Sequence, residues 1–250
     1  MRHPATRHRN SHRLWVAAFS LAAAAAAVSA PSATAPVAVA PAFDIFDIKA
    51  EVPLHQYRAM RRMHAESERF DHEGWMDAWT EFDADGFRYQ IVAERGSDTV
   101  RNKVLRTLLK REQEMIAAGD FGRGELTPQN YEFGAETAGP GERYISIKPK
   151  RKDVMLIDGR VVLNTSGELL RVEGLVAKNP SFWTSQVNIT RHYARVDGVR
   201  VPIATESQAK VKFVGKSRLN VRYEYETVNG RPVKTAAALA PIVLPPAAGR

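Results

Sequence analysis

Arg218–Glu226 reads RLNVRYEYE, and every second side chain changes character. Leu219, Val221, Tyr223 and Tyr225 face one way, while Arg218, Asn220, Arg222, Glu224 and Glu226 face the other. A period of two with one apolar and one charged face belongs to an antiparallel strand, buried on one side and wet on the other. Upstream, TRHYARVDGVRVPIATES (Thr190–Ser207) sets the turn dipeptide Asp197-Gly198 between two strand-like runs, which predicts a β-hairpin. After that turn Val201, Ile203, Thr205 and Ser207 alternate with Pro202, Ala204 and Glu206.

The same signal runs through most of the chain. In WMDAWTEF, Trp75, Asp77, Trp79 and Glu81 share a face. Phe87, Tyr89, Ile91 and Ala93 alternate with Arg88, Gln90, Val92 and Glu94, and Ala84-Asp85-Gly86 supplies the turn between these runs. Tyr144 to Lys148 reads as a strand. Val154 to Ile157 and Val161 to Asn164 flank Asp158-Gly159, which predicts a second hairpin. Strands are expected from Leu169 to Ala177, Trp183 to Arg195 and Val201 to Val214, with Gly215-Lys216-Ser217 as a turn. Successive strands joined by short turns make a meander, and a long sheet must curl and cover its apolar face.

The cover is the helix predicted near 98–118. Ser97 is placed as N-cap and Asp98 at the positive helix end. Val100, Val104, Leu108 and Met115 form a stripe widened by Leu105, Leu109 and Ile116, and Gly119 is a natural stop. Leu54, Tyr57 and Met60 are spaced by three, so 54–68 reads equally as a second helix or as the first strand. The expected class is therefore mainly β (α+β): a strongly curled antiparallel half-barrel meander covered by one or two helices.

The ends of the chain read differently. Residues 1–29 join a basic segment (Arg2, Arg7, Arg9, Arg13) to the apolar LWVAAFSLAAAAAAVS, the pattern of a secretory signal peptide, with an uncleaved anchor as the alternative. Pro31, Pro36 and Pro41 each follow an alanine, and proline just after a cut is disfavoured, so cleavage is expected after Ser29 or as late as Ala42. Residues 30–44 form an Ala/Pro leader, 45–233 a single domain, and 234–250 a low-complexity Ala/Pro tail. The expected location is the periplasm or the exterior. The chain holds no cysteine, which closes the routes of a lipid anchor and of a disulfide framework.

The formal charge of +8 overstates the basic character of the domain. Without residues 1–42, 32 basic residues face 28 acidic ones, a net of +4. That mild, dispersed excess speaks against nucleic acid as a partner. The densest cluster, Lys148, Lys150, Arg151 and Lys152, reads as a solvated strand end or as a contact to acidic lipid headgroups.

The curled sheet with its helix resembles the outer-membrane lipoprotein carriers and their relatives, and HYARVDGVRVP is similar to a hairpin common in that superfamily. The resemblance implies an unclosed antiparallel barrel with a helical lid and an acyl-chain ligand between them. The helix SDTVRNKVLRTLLKRE and the stretch NPSFWTSQVNITRHYARVDGVRVP are also similar to exported bacterial proteins of no assigned function. The sequence departs from a dedicated carrier in its single, strongly basic helix and in the polar residues Thr184, Thr205 and Ser207 on its strands.

No motif for catalysis is present: there is no Gly-x-Ser-x-Gly, no cysteine and no HExxH, and Gly215-Lys216-Ser217 lacks the earlier glycine of a phosphate loop. Asp77 and Glu81 are the best carboxylate pair for a hydrolase. His64, Glu66 and Glu68 share a strand face near Asp71-His72-Glu73, but the spacing matches no ligand motif, and the reading is a charged strand edge with no metal and no cofactor. The candidates for an apolar ligand cavity are Trp75, Trp79, Tyr89, Leu108, Phe182, Trp183, Tyr223 and Tyr225. These observations lead to the expectation of an exported, non-enzymatic binding protein for a lipid, acyl chain or lipidated protein. The alternatives are a filled-core interaction or sensor module of the envelope, and a hydrolase.

Overall fold

The computed structural model describes residues 52–68, 72–181, 184–212 and 215–234. The signal peptide, the leader, all of the tail beyond Lys234, Phe182 and Trp183 lie outside the described residues. The described residues form a mainly β fold of eleven antiparallel strands, not closed into a barrel, with one long helix. The strands are β1 (Tyr57–Ser67), β2 (His72–Asp83), β3 (Gly86–Gly96), β4 (Tyr131–Gly139), β5 (Glu142–Pro149), β6 (Ile157–Asn164), β7 (Leu169–Val176), β8 (Thr184–Val196), β9 (Val199–Val211), β10 (Gly215–Val228) and β11 (Arg231–Pro232). The helix α1 starts as Asp98–Val100, passes through a π turn at Arg101–Leu105 and continues as Arg106–Ala117.

The spatial order is β3-β2-β1-β10-β9-β8-β7-β6-β5-β4, with β11 paired to β10. Every neighbour is also a sequence neighbour except at one place, where β1 pairs β10 from Tyr57↔Val228 to Ser67↔Ser217. The two ends of the domain thus meet in the middle of the sheet. The edges are β3 and β4, consecutive in the chain, and α1 connects them across the inner face. It packs on β1, β2 and β3.

Segment 54–68, which the sequence leaves open, holds a strand rather than a helix: β1 (Tyr57–Ser67) buries Tyr57, Ala59, Arg61, Met63, Ala65 and Ser67 alternately. The hairpin at Asp197-Gly198 forms, with φ of 48° and 83° as a two-residue hairpin turn requires. Its second arm is bulged, since β8 and β9 shift register between His192/Tyr193 and Ala204/Pro202. Pro202 has no N–H to give a ladder, and proline in a central strand is tolerated at such bulges. The β9–β10 ladder stops at Ala204, and the Tyr225 hydroxyl donates to the Pro202 carbonyl at 2.8 Å instead.

The hairpin expected at Asp158-Gly159 is a correction. Both residues lie inside β6, with Gly159 opposite Gly174 of β7. A Cβ on Gly159 would sit 2.1 Å from the Glu173 carbonyl oxygen, so the glycine serves close backbone approach rather than a turn. The turn lies earlier, at Val154-Met155, where Asp153 Oδ1 accepts the Met155 N–H at 3.0 Å. Strand β4 is not anticipated, because as an edge strand carrying Gly134 and a register shift it shows no clean alternation.

Helix α1 buries Val100, Val104, Leu105, Leu108, Leu109 and Ile116. Burial of each aliphatic side chain is worth about 1.5–3 kcal/mol, which is what ties the helix to the sheet. Gly74 of β2 makes the close approach, since a Cβ there would be 3.0 Å from Val100. Ser97 makes no side-chain cap. Gly119 does stop the helix: at φ 75° it donates to Ile116 O, and Asp120 donates to Met115 O, a Schellman closure. Inside the fold, Arg61 of β1 is fully buried and forms a two-point ion pair with the buried Glu112 of α1, one contact at 2.7 Å. Tyr57 Oη accepts from the same guanidinium at 2.7 Å, and the rings of Phe87 and Tyr223 lie 5.0 and 4.8 Å from it.

Candidate functional site

The side chains pointing away from α1 form cross-strand rows set by the register. One row runs Ala204 (β9), Arg222 (β10), Arg62 (β1), Asp77 (β2) and Ala93 (β3). The next runs Glu206, Asn220, His64, Trp75 and Arg95, and a third runs Gln208, Arg218, Glu66 and Glu73. Over the first two rows lies an open groove of about 570 Å³. The alanines at both ends of the first row leave room between the longer neighbours. The volume falls within the range of small-molecule sites, about 300–1,000 Å³.

Trp75 organises this groove. His64 stacks on its indole with centroids 4.6 Å apart and planes at 13°, and the Arg95 guanidinium lies 4.6 Å from the ring. They come from the strands on either side of β2, so the indole is held between them. Two of the acids that line the groove, Asp77 and Glu94, are committed to arginines. Asp77 pairs with Arg62 at 3.2 Å, Glu94 with Arg101 and Arg106 of the helix at 2.7 Å each, and Glu206 stands 3.6 Å from His192. Arg62 also takes Glu224 at 2.7 Å. Arg222 and Arg95 are exposed, and neither forms an ion pair among the described residues. Two positive charges thus face the groove without a carboxylate. His192, half-buried beside it, has its imidazole held below the ordinary value of 6.5, chiefly by burial and against the attraction of Glu206.

The sequence-predicted candidates fall into separate places. Trp75 lines the groove. Trp79 lies on the same outer face under the Arg58 guanidinium, 4.6 Å from the ring. Tyr89 is half-buried against the core, and Leu108, Tyr223 and Tyr225 are buried in it. A smaller cavity of about 170 Å³, between α1 and residues 153–155, touches Leu108, Glu112 and Asp153. Asp77 and Glu81 are four residues apart on one strand, about 13 Å at 3.3 Å per residue. Each is paired with arginine. In the basic cluster Lys148, Lys150 and Lys152 are exposed, but Arg151 is committed to Asn130 Oδ1 at 2.6 Å and to the Arg123 carbonyl at 2.9 Å.

Arg222, Arg95 and Asn220 are groove residues to which sequence reasoning gives no role, and His64 is grouped there only with Glu66 and Glu68. Arg222 and Asn220 belong to the charged face of the opening stretch, and alternation cannot distinguish a paired charge from an unpaired one.

The second and third rows together hold a group of possible metal donors. His64, Glu66 and Glu73 each place one ligand atom within 4.8 Å of the others. His64 Nε2 stands 3.5 Å from Glu73 Oε2, and Arg218 donates to Glu66 Oε1 at 3.0 Å.

The chain matches no protein-family model and no curated protein. It is similar to the crystal structure of a DUF1329 family protein from Desulfovibrio piger, with a TM-score of 0.32 and 9% identity over 70% of this chain and 87% of that one.

Proposed function

We propose that this is an exported, non-enzymatic binding protein of the cell envelope, and that its ligand is an anionic amphiphile held in the outer groove. The observation that carries this reading is the pair Arg222 and Arg95, two cations without carboxylate partners flanking a groove built around Trp75. An anionic headgroup would complete them with charge-assisted hydrogen bonds, and the Trp75 edge, with Trp79 and Met60 in the adjoining row, offers apolar surface to a chain. The inner face supports this assignment less well, since helix α1, the Arg61–Glu112 pair and buried tyrosines occupy it. The exposed Lys148, Lys150 and Lys152 would let the molecule rest on an acidic membrane surface while exchanging such a ligand.

The test is native mass spectrometry of the purified full chain, with organic extraction of anything bound. Titration with decyl phosphate, inorganic phosphate and decanol then follows. Decyl phosphate should bind best, and Arg222→Glu should weaken it about tenfold or more, the loss of a charge-assisted contact. Equal binding of inorganic phosphate would reduce the ligand to a simple anion. A bare polypeptide mass that takes up none of the three would overturn the reading in favour of an interaction module with a filled core.

A further inference from the structure

We infer that His64, Glu66 and Glu73 form a binding site for a divalent transition metal, with zinc the best match, at the end of the groove beside Trp75. The inference does not depend on what the groove itself holds. One imidazole and two carboxylates are a donor set suited to zinc, and three protein ligands leave a position open. The strands place them as such a site needs. Glu66 and Glu73 are direct cross-strand partners, and His64 sits two residues from Glu66 on the same face. Their donor atoms lie within 4.8 Å of one another, and tetrahedral zinc with bonds of about 2.1 Å needs them about 3.4 Å apart. His64 Nε2 and Glu73 Oε2 already stand 3.5 Å apart, and the Glu73 side chain, 52% exposed, has freedom to adjust.

Two further observations point to a cation. The Nε2 atom of His64 is shielded from solvent and makes no hydrogen bond, although Glu73 stands 3.5 Å away. A nitrogen in that position is left for a ligand. Like charges directly opposite on neighbouring strands also destabilise a sheet, and Glu66 and Glu73 are such a pair. Arg218 offsets only part of this. It bonds one oxygen of Glu66 and, at 3.2 Å, Glu68. Glu66 Oε2 stays available, and Arg218 takes the place of an outer partner that orients a metal-binding carboxylate. The sequence alone groups His64 with Glu66 and Glu68. The register replaces Glu68 by Glu73, because residues i and i+4 on a strand lie about 13 Å apart while cross-strand partners lie about 5 Å apart.

The test is calorimetric titration of the full chain with zinc alone, together with tryptophan emission during the titration and cobalt as a visible-spectrum probe. His3, His8 and His12 can also bind zinc, so the site is read as the difference between the wild type and variants. The expected result is a site that perturbs Trp75 emission through the stacked His64. His64→Gln and Glu73→Gln should each weaken it about tenfold or more, Arg218→Gln about 10- to 100-fold, and Glu68→Gln should leave it unchanged. Glu73→Gln serves as the variant that keeps the fold, since its side chain is largely in water. Zinc isotherms that coincide for the wild type, His64→Gln and Glu73→Gln, with no response of tryptophan emission, would overturn the inference.

Discussion

Arg61 and Glu112 decide the interior at the scale of single residues. Both are buried, and each is the other's counter-charge. Removing one partner leaves a charge in an apolar interior, which costs about 3–5 kcal/mol. Glu112→Gln should therefore lower the urea midpoint by that equivalent, whereas the double variant Arg61→Met, Glu112→Leu should lose clearly less. His192 gives a second residue-scale expectation. Its folded value lies below the ordinary 6.5, mainly through burial. The unfolded chain then takes up the proton first as pH falls. The stabilisation from keeping this imidazole neutral is complete above about pH 6.5 and is lost as pH falls through the folded value. Between pH 7.5 and 5 the wild type should lose more stability than His192→Asn, and equal losses would exclude a role for this ring.

Close approach of backbones governs the scale of elements. Gly159 and Gly174 face each other across β6 and β7, and a methyl group on Gly159 meets the Glu173 carbonyl. Gly159→Ala should separate the two strands locally, seen as faster amide exchange at Val161 and Val172, with a loss of stability of about 1–3 kcal/mol. In the helix, Leu108→Ala should cost about 2–5 kcal/mol, towards the lower end because the site borders an existing cavity. The Schellman closure at Gly119 was legible in the sequence, since glycine is the residue that tolerates the left-handed conformation there. The missing side-chain cap at Ser97 was not: its N–H is drawn to the Glu73 carbonyl of β2 at 2.8 Å, a tertiary contact that fixes the turn.

The order of strands has the largest consequence for the whole molecule. β10 lies between β1 and β9 and joins what would otherwise be two sheets. A chain ending at Lys212 should lose cooperative unfolding entirely, whereas one ending at Lys234 should keep it; circular dichroism during thermal unfolding separates the two. Asn229 strengthens the same junction. Its Oδ1 accepts from His55 N–H at 2.8 Å, and its Nδ2 donates to the Pro53 carbonyl at 2.8 Å, holding the entrance of β1 to the end of β10. The groove is a property of this scale too, since five strands from both ends of the domain contribute to it.

What the sequence determined by itself is what depends on near neighbours. Alternation along Arg218–Glu226, the Asp197-Gly198 turn and the helical stripe from Val100 to Ile116 are local patterns, and they carried the fold class and the wet outer face. Asp158-Gly159 misled because the same two residues suit a turn or a close strand crossing, and only the opposite strand selects between them. Tertiary structure alone decided the β1–β10 pairing, and with it which charges found partners. Arg62 meets Asp77 and Glu224 while Arg222 meets no carboxylate among the described residues, although both are arginines on an alternating wet face. The physical reason is range. Burial alternates every two residues along a strand, but neutralisation of a charge requires an opposite charge within about 4 Å, and across a sheet that neighbour comes from another strand: for Arg62, Asp77 is 15 residues away and Glu224 is 162 residues away in the chain.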